Sequence, residues 1–301
     1  MSFRCSKRYK LFFRSQLLRR ILLAWWNSPQ SFKVGSVLLM FWVVVAIVGP
    51  HIAPYGPSQI GTGRPLSGVS WDHLFGLDQL GRDVFSRVIH GAHIVLVLSI
   101  SATLCGLTIG ALLGLTSGFI GGWFDEIIMR LVEALISIPF LILAMLIVAV
   151  AGPQLSGNSL LIICAVSIVY LPRTARLARA ASLDIITKDY IMVARMRGES
   201  TFSVVRREML PNAAGVLLVE FATRAGFAPV LIGSLGFLGF GMRPPTPEWG
   251  LMISEYRELI LLAPEILAGP GIALATLVVG LNLCTDGIAR ILGRSGRGAK
   301  S

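Results

Sequence analysis

One pair of opposite charges lies within an otherwise uncharged apolar stretch of this 301-residue sequence. Glu220 and Arg224 are four residues apart within residues 213–235, so on a helix they would share a face and could pair. Charged groups surrounded by hydrocarbon are costly and commonly functional. Two interpretations stay open: the pair lines a translocation cavity for a zwitterionic molecule, or it fixes helix packing.

Motifs for covalent chemistry are missing from the sequence. No glycine-rich loop is followed by a lysine, so there is no Walker A site, and neither H-E-x-x-H nor G-x-S-x-G occurs. We therefore predict that the chain is not an enzyme, does not hydrolyse ATP itself and needs no cofactor.

A metal site is also not expected. His90 and His93 lie three residues apart with Asp83 upstream, but a third ligand would have to come from elsewhere in the chain. The four cysteines show neither metal-ligand spacing nor a disulfide pattern.

The composition indicates a polytopic membrane protein. Hydrophobic residues make up 54% of the chain and charged residues only 14%, and the mean hydropathy is +0.73. Soluble domains average about 25% charged residues. The net charge of +11 comes from basic residues at the ends of apolar runs, so it favours a topology signal and no nucleic-acid partner.

Six apolar segments are long enough to cross a bilayer as helices. They span residues 34–52, 94–118, 129–150, 160–180, 213–235 and 266–288. The predicted fold is therefore all-α, with a membrane domain over 34–291 and basic tails over 1–33 and 292–301. Residues 8–27 are interpreted as an amphipathic helix on the membrane lipid surface.

The distribution of Lys and Arg predicts the orientation. With both termini inside, the inner segments carry 21 basic residues and the outer segments carry five. Basic residues accumulate on the cytoplasmic side of membrane proteins. Both termini are therefore predicted to be cytoplasmic.

A polar loop over residues 184–212 is predicted to form two short helices. Asp189 suits the first turn of one helix, and Gly198 suits a left-handed position after its end. Ser200 can cap a second helix, and Pro211 marks its end or a bend. The second helix would place Phe202, Val205 and Met209 on one face, opposite Arg206 and Arg207. Such an element either inserts into a partner's groove or packs under the helices.

Four glycines recur at every fourth position in the second apolar segment: Gly106, Gly110, Gly114 and Gly118. On a helix they form one smooth face that a second backbone can approach closely. This spacing predicts tight helix packing.

The 184–212 loop resembles the EAA loop of ABC importer permeases. Gly198 follows Ala194 by four residues, and the pair Leu210-Pro211 with Asn212 follows further on. In that family the loop forms coupling helices that dock on ATP-binding subunits. The resemblance therefore implies coupling roles for Asp189, Tyr190, Ala194, Arg195, Gly198, Phe202, Leu210, Pro211 and Asn212.

Three further stretches resemble the peptide/nickel class of these permeases. They are residues 73–87, 129–139 and 235–250, and with the loop they extend the resemblance over 34–291. The resemblance implies a type I-like importer fold in the bacterial inner membrane.

Partners and substrate follow from the same resemblance. It implies a sister permease in a heterodimer, two cytoplasmic ATP-binding subunits and an external solute-binding protein. Short peptides are the expected cargo, with nickel, glutathione and other small solutes as alternatives. A proton-coupled secondary transporter using Glu133, Glu220 and Asp286 is the rival interpretation, but it leaves the structured loop unexplained and predicts internal repeats that we do not find.

Overall fold

The computed structural model describes Trp25 and residues 28–298. These residues form helices, loops and an isolated β-bridge between Leu77 and Asp83. The predicted all-α class is confirmed. Apart from Trp25, the amphipathic helix predicted over 8–27 lies outside the described residues.

Nine helices of eight residues or more follow one another along the described chain. They are α1 (Gln30–Ile52), α2 (Val84–Ile120), α3 (Gly122–Ile136), α4 (Phe140–Ala151), α5 (Ser159–Ile185), α6 (Asp189–Met196), α7 (Thr201–Phe237), α8 (Trp249–Tyr256) and α9 (Pro264–Gly298). Five of these, α1, α2, α5, α7 and α9, are long and apolar enough to cross a membrane. The pair α3–α4 is a sixth span if its two halves count as one.

The third predicted span, 129–150, is not one straight helix. Helices α3 and α4 are separated by Ser137, Ile138 and Pro139, and their axes differ by 95°. Pro139 has no N–H to donate, and inside a continuous helix its ring would clash with the carbonyl group one turn earlier. The span is therefore broken at this proline.

Helices α2 and α9 are longer than the predicted spans. Asp83 starts α2 ten residues before the predicted boundary, because its Oδ2 accepts a hydrogen bond of 2.8 Å from the Ser86 N–H. Helix α9 continues to Gly298, into the segment predicted as a tail. Asn158 caps α5 in the same way, accepting from the Leu160 N–H at 2.8 Å.

The glycine face of α2 packs directly on α5, as the spacing predicted. A Cβ placed on Gly106 would lie 2.7 Å from the Ser167 carbonyl oxygen, and one on Gly110 would lie 2.7 Å from the Leu171 carbonyl oxygen. Gly114 and Gly118 meet the next two turns of α5 equally closely. The two backbones touch over four turns, which leaves no room for larger side chains.

Candidate coupling element and membrane cavity

The loop 184–212 folds into the two predicted helical pieces. Helix α6 ends at Met196, and the chain turns at Gly198, whose φ of +71° lies in the left-handed region. The Ser200 hydroxyl then accepts a hydrogen bond of 3.3 Å from the Ser203 N–H at the start of α7. We call α6, the corner and the first turns of α7, residues 189–209, the coupling element.

One face of the coupling element is buried against the membrane helices. Ile191 and Ala194 of α6 are fully buried, and so is Met209 of α7. They share an apolar cluster with Leu115 of α2 and Ile185 of α5. The element is therefore packed against the ends of two long helices.

The opposite face is apolar but exposed. Its members are Tyr190, Met192, Val193, Met196 and Phe202, with exposed fractions from 38% to 74%. Exposed apolar side chains grouped on one small element are typical of a surface that contacts another protein. We call these five side chains the outer face.

The predicted position of Phe202 on one face with Val205 and Met209 is wrong. Val205 and Met209 are buried, whereas Phe202 is exposed. Val204, which the prediction did not include, is fully buried. The buried face of this helix is therefore centred near Val204 and Val205, and Phe202 lies outside it.

A cation connects the coupling element to the end of α2. The Arg195 Nη2 donates a hydrogen bond of 2.9 Å to the Phe119 carbonyl oxygen. Its guanidinium carbon also lies 4.3 Å from the centroid of the Phe119 ring. This contact satisfies a carbonyl group near the end of α2 and couples α6 to that helix.

Proline at position 211 does not end the second helix. Residues Val205–Met209 form a π-helical segment, and α7 continues through Leu210 and Pro211 into the membrane span. Wider helical turns of this kind accommodate the carbonyl groups that a proline leaves without partners. The Asn212 side chain donates a hydrogen bond of 2.5 Å to the Glu208 carbonyl oxygen. Asp189, Pro211 and Asn212 are exposed, and Leu210 is half-buried.

Glu220 and Arg224 form the predicted pair on α7. The Arg224 Nε donates to the Glu220 Oε1 at 2.6 Å, and both side chains are mostly buried. Arg224 also lines a cavity of about 300 Å³ between α4, α5 and α7, whereas Glu220 is not among the lining residues. The structure therefore brings only the arginine to this cavity.

A second ion pair, which the sequence interpretation missed, joins α3 to α5. The Arg179 Nε donates to the Asp125 Oδ1 at 2.7 Å, and the Ser117 hydroxyl donates to the same oxygen. Asp125 thus connects three helices, because Ser117 belongs to α2. Its signal in the sequence was weak: two adjacent acids, Asp125 and Glu126, between two apolar segments.

Opposite charges also cluster at the other end of α2, far from the coupling element. The Arg82 Nε donates to the Asp78 Oδ2 at 2.5 Å, and the Arg87 Nη2 donates to the Glu255 Oε2 at 3.1 Å. His73 Nδ1 and Asp83 Oδ1 are 3.0 Å apart. We call residues 73–87 together with α8 the ionic platform. Its sequence signal was a group of four charges within ten residues, 78–87, of a chain poor in charge.

Two residues fix α8 in this platform. Trp249 is fully buried: its indole N–H donates to the Val88 carbonyl oxygen at 3.0 Å, and its ring packs over Gly91. Glu248 caps α8 by accepting from the N–H groups of Gly250 and Leu251, each at 2.8 Å. Burial raises the pKa of Glu248 to about 7, although these two hydrogen bonds act to lower it.

The histidines do not form a metal centre. His90 Nδ1 is 2.8 Å from the Ser86 carbonyl oxygen, so this nitrogen is the donor, and His93 lies beside it with His51 on one shallow cavity. In the described part of the chain, no three His, Cys, Asp or Glu side chains are placed to hold a metal ion.

The fold and the coupling element define a class: a helical membrane permease with a structured loop between two spans. Comparison with known families gives the specific assignment. Residues 106–297 match the family described as "Binding-protein-dependent transport system inner membrane component". The chain belongs to this family, and it is a membrane-embedded permease subunit of a binding-protein-dependent importer.

Curated relatives cover most of the chain. It is 37% identical over 272 residues to the di/tripeptide transport system permease protein DppC of Pseudomonas aeruginosa, which covers 87% of this chain and 88% of that one. It is 33% identical to the dipeptide permease DppC of Alkalihalophilus pseudofirmus, covering 85% and 83% of the two chains. It is 38% identical to the glutathione permease GsiD of Escherichia coli, covering 84% and 83%.

A solved structure shows the same fold. The inward-facing MetNI methionine ABC transporter matches with a TM-score of 0.54 and 21% identity, over 68% of this chain and 96% of that chain. The predicted type I-like permease fold is thereby confirmed.

Proposed function

We propose that this subunit imports short peptides, driven by ATP hydrolysis on partner subunits that dock on the outer face of the coupling element. The peptide and glutathione permeases among its relatives support this substrate class, since glutathione is itself a small peptide. A sister permease would complete the translocation pathway. Two ATP-binding subunits would bind on the cytoplasmic side, and a solute-binding protein would bind on the external side.

The observation that carries the coupling role is the contrast between the two faces of α6. Ile191 and Ala194 hold the helix against α2 and α5, while Met192 and Met196 project from it into solvent. A partner that binds Met192 and Met196 would therefore act on the membrane helices, because the element it contacts is packed against them. The contact between Arg195 and Phe119 adds a second connection to α2.

The orientation follows from charge. Both termini and the coupling element are proposed to face the cytoplasm, because 21 of the basic residues then lie inside and five lie outside. The ionic platform then lies on the outer side, where a solute-binding protein delivers its cargo.

The test is co-purification of the ATP-binding subunits with variants of the outer face. Met196→Asp and Phe202→Asp place a charge on side chains that are 74% and 66% exposed, so the fold should tolerate them. Each is expected to reduce recovery of the ATP-binding subunits and stimulated ATP turnover at least about tenfold, since desolvated interface residues dominate binding.

Leu261→Asp is the matched control. Leu261 is 94% exposed and lies between α8 and α9, near the ionic platform. It should leave the ATP-binding subunits attached. Normal assembly and ATP-dependent uptake in both outer-face variants would contradict the coupling role, and uptake that needs only a proton gradient would favour a secondary transporter.

A further inference from the structure

The cavity beside Arg224 lies where the broken span meets two continuous helices. Its volume is about 300 Å³, and it is partly open. Most of its wall is apolar. The polar or positively polarised groups come from Phe140 and Leu141 at the start of α4, Tyr170 and Arg173 of α5, and Arg224 and Ser234 of α7.

Two arginines and no acidic residue line this cavity. Arg224 uses its Nε to bind Glu220, and no hydrogen bond joins its two Nη groups to a described residue. Arg173 is exposed and forms no ion pair within the described part of the chain. The wall therefore carries excess positive charge and unused guanidinium donors, which suit a planar anion such as a carboxylate.

The break in the third span adds a further positive group. Helix α4 starts at Phe140 after the N-cap Pro139, and no side chain caps it. The first hydrogen bond of α4 runs from the Leu143 N–H to the Pro139 carbonyl oxygen. The N–H groups of the residues before Leu143 in α4 therefore have no partner within the helix. The positive end of a half-helix meets the cavity through Phe140 and Leu141.

Tyr170, which lines the same cavity, carries a buried hydroxyl group. Its side chain lines the cavity and is only 5% exposed, yet its hydroxyl is buried and has no hydrogen-bond partner in the described residues. A buried hydroxyl without a partner is costly and uncommon in a native structure. A bound acceptor oxygen would satisfy it.

We propose that this cavity binds the carboxylate of the cargo during passage, with Arg173 and Arg224 as its ligands and Tyr170 and the start of α4 as additional donors. This inference rests on the proposed import of peptides and makes it more specific: the subunit itself selects for a free carboxylate. Discontinuous membrane helices whose N-termini face anionic substrate groups are a known solution in other transporters.

Arg224 has a second role, because its pairing with Glu220 also holds α7 together. Replacing it would leave a mostly buried carboxylate unpaired and could disturb folding. Arg173 has no such partner, so Arg173→Gln removes one ligand of the proposed site without breaking an ion pair of the fold. Arg176→Gln is the matched control, since Arg176 is exposed on the next turn of α5 and does not line this cavity.

The first arm of the test measures anion preference without transport. Ser234→Cys is introduced into a chain whose four native cysteines are replaced by alanine, and the assembled complex reacts with a sulfonate-bearing or a trimethylammonium-bearing methanethiosulfonate. After each rate is divided by the rate of the same reagent with a free thiol in solution, the sulfonate reagent should be the faster one. Arg173→Gln should lower the ratio of the two rates at least about threefold, because one unit charge near the thiol is lost. An unchanged ratio would overturn the proposal.

The second arm uses ATP-dependent uptake into proteoliposomes of a dipeptide with a free carboxyl group and of its C-terminal amide. Arg173→Gln should raise KM for the free acid about tenfold, the usual effect of losing a charge-assisted hydrogen bond, and leave KM for the amide unchanged. Tyr170→Phe should act in the same direction more weakly. Equal increases in KM for the free acid and the amide would mean that the cavity does not bind the carboxylate. If the wild type shows no ATP-dependent peptide uptake, the proposed function fails, and the labelling ratio still decides whether the cavity prefers anions.

Discussion

The two ends of α2 differ in how much charge is buried there, although near its end Ser117 also binds the ion pair of Asp125 and Arg179. At its start the ionic platform buries charged side chains against one another, including Arg87, which is fully buried beside Glu255. At its end the coupling element is held mainly by apolar contacts of Ile191 and Ala194, with one cation at the surface. One helix of 37 residues connects the two.

The difference indicates different mechanical roles. A buried ion network loses much of its stability when any member shifts, so the platform resists small displacements. The coupling element has no such buried ion network, and its outer face remains open to a partner. We infer that the platform is the fixed end and the coupling element is the end on which a partner can act.

The largest expected effect comes from breaking the platform. Glu255→Ala removes the ion-pair partner of Arg87 and leaves its buried guanidinium group uncompensated, while Arg82 keeps its pair with Asp78. We expect a loss of about 3–5 kcal/mol in the free energy of unfolding, measured by denaturant titration in micelles.

Glu126→Ala is the control for this change. Glu126 pairs with Arg130 at 3.5 Å, but both side chains are more than two-thirds exposed, so the loss should be below about 1 kcal/mol. Similar losses for the two variants would show that burial does not distinguish these pairs, and the contrast between the two ends of α2 would fail.

A pH dependence should follow from Glu248 in the platform. Its pKa is raised to about 7 from an ordinary 4.5, so between these values the folded state holds a proton that the unfolded state has released. Stability should therefore fall as pH rises from about 4.5 to about 7, by about 3 kcal/mol in total, and then level off.

Glu248→Gln removes this titration. The decrease in thermal stability between pH 5 and pH 8 should be smaller in Glu248→Gln than in the wild type. Glu258→Gln, at an exposed position in the turn after α8, should preserve the wild-type decrease. The same decrease in all three proteins would mean that another group carries the pH dependence.

Local signals explain what the sequence could predict. The continuous spans follow from the length of apolar runs, the corner at Gly198 from one glycine, and the contact of α2 with α5 from a four-residue repeat of glycines. The 95° break was missed because residues 129–150 also satisfy the length criterion, and Pro139 alone does not indicate where α4 will pack.

Long-range pairing explains most of the rest. Arg82 and Glu255 are 173 positions apart, and Asp125 and Arg179 are 54 positions apart, so no local pattern relates them. Arg224 and Arg173 meet the start of α4 only because the third span breaks. The sequence therefore predicted one lining residue, Arg224, whereas the rest of the lining depends on tertiary packing.

The glycine contact between the two ends should be sensitive to single methyl groups. Gly110→Ala would place a Cβ 2.7 Å from the Leu171 carbonyl oxygen, so α2 and α5 would have to separate. We expect a loss of about 1–3 kcal/mol, typical of overpacking, and weaker ATPase stimulation if α2 transmits motion. Stability equal to that of the wild type would show that the helices separate at no cost.

The smallest expected effect is at the corner of the coupling element. Gly198→Ala adds a methyl group with nothing within 4 Å, so its only cost is the left-handed φ of +71°, about 1–2 kcal/mol. Gly215→Ala adds the same methyl group, also with nothing within 4 Å, inside α7, where alanine should stabilise the helix by up to about 1 kcal/mol.

The comparison of these two variants isolates the backbone conformation of the corner. Since Gly198 lies in the coupling element, its cost should appear locally, as faster amide hydrogen exchange in α6 and weaker binding of the ATP-binding subunits, with little change in the platform. Equal exchange rates in α6 for Gly198→Ala and Gly215→Ala would mean that the corner is not a fixed turn. Faster exchange that extends to α8 would mean that the two ends of α2 are not independent, and the distinction between a fixed end and a responsive end would have to be abandoned.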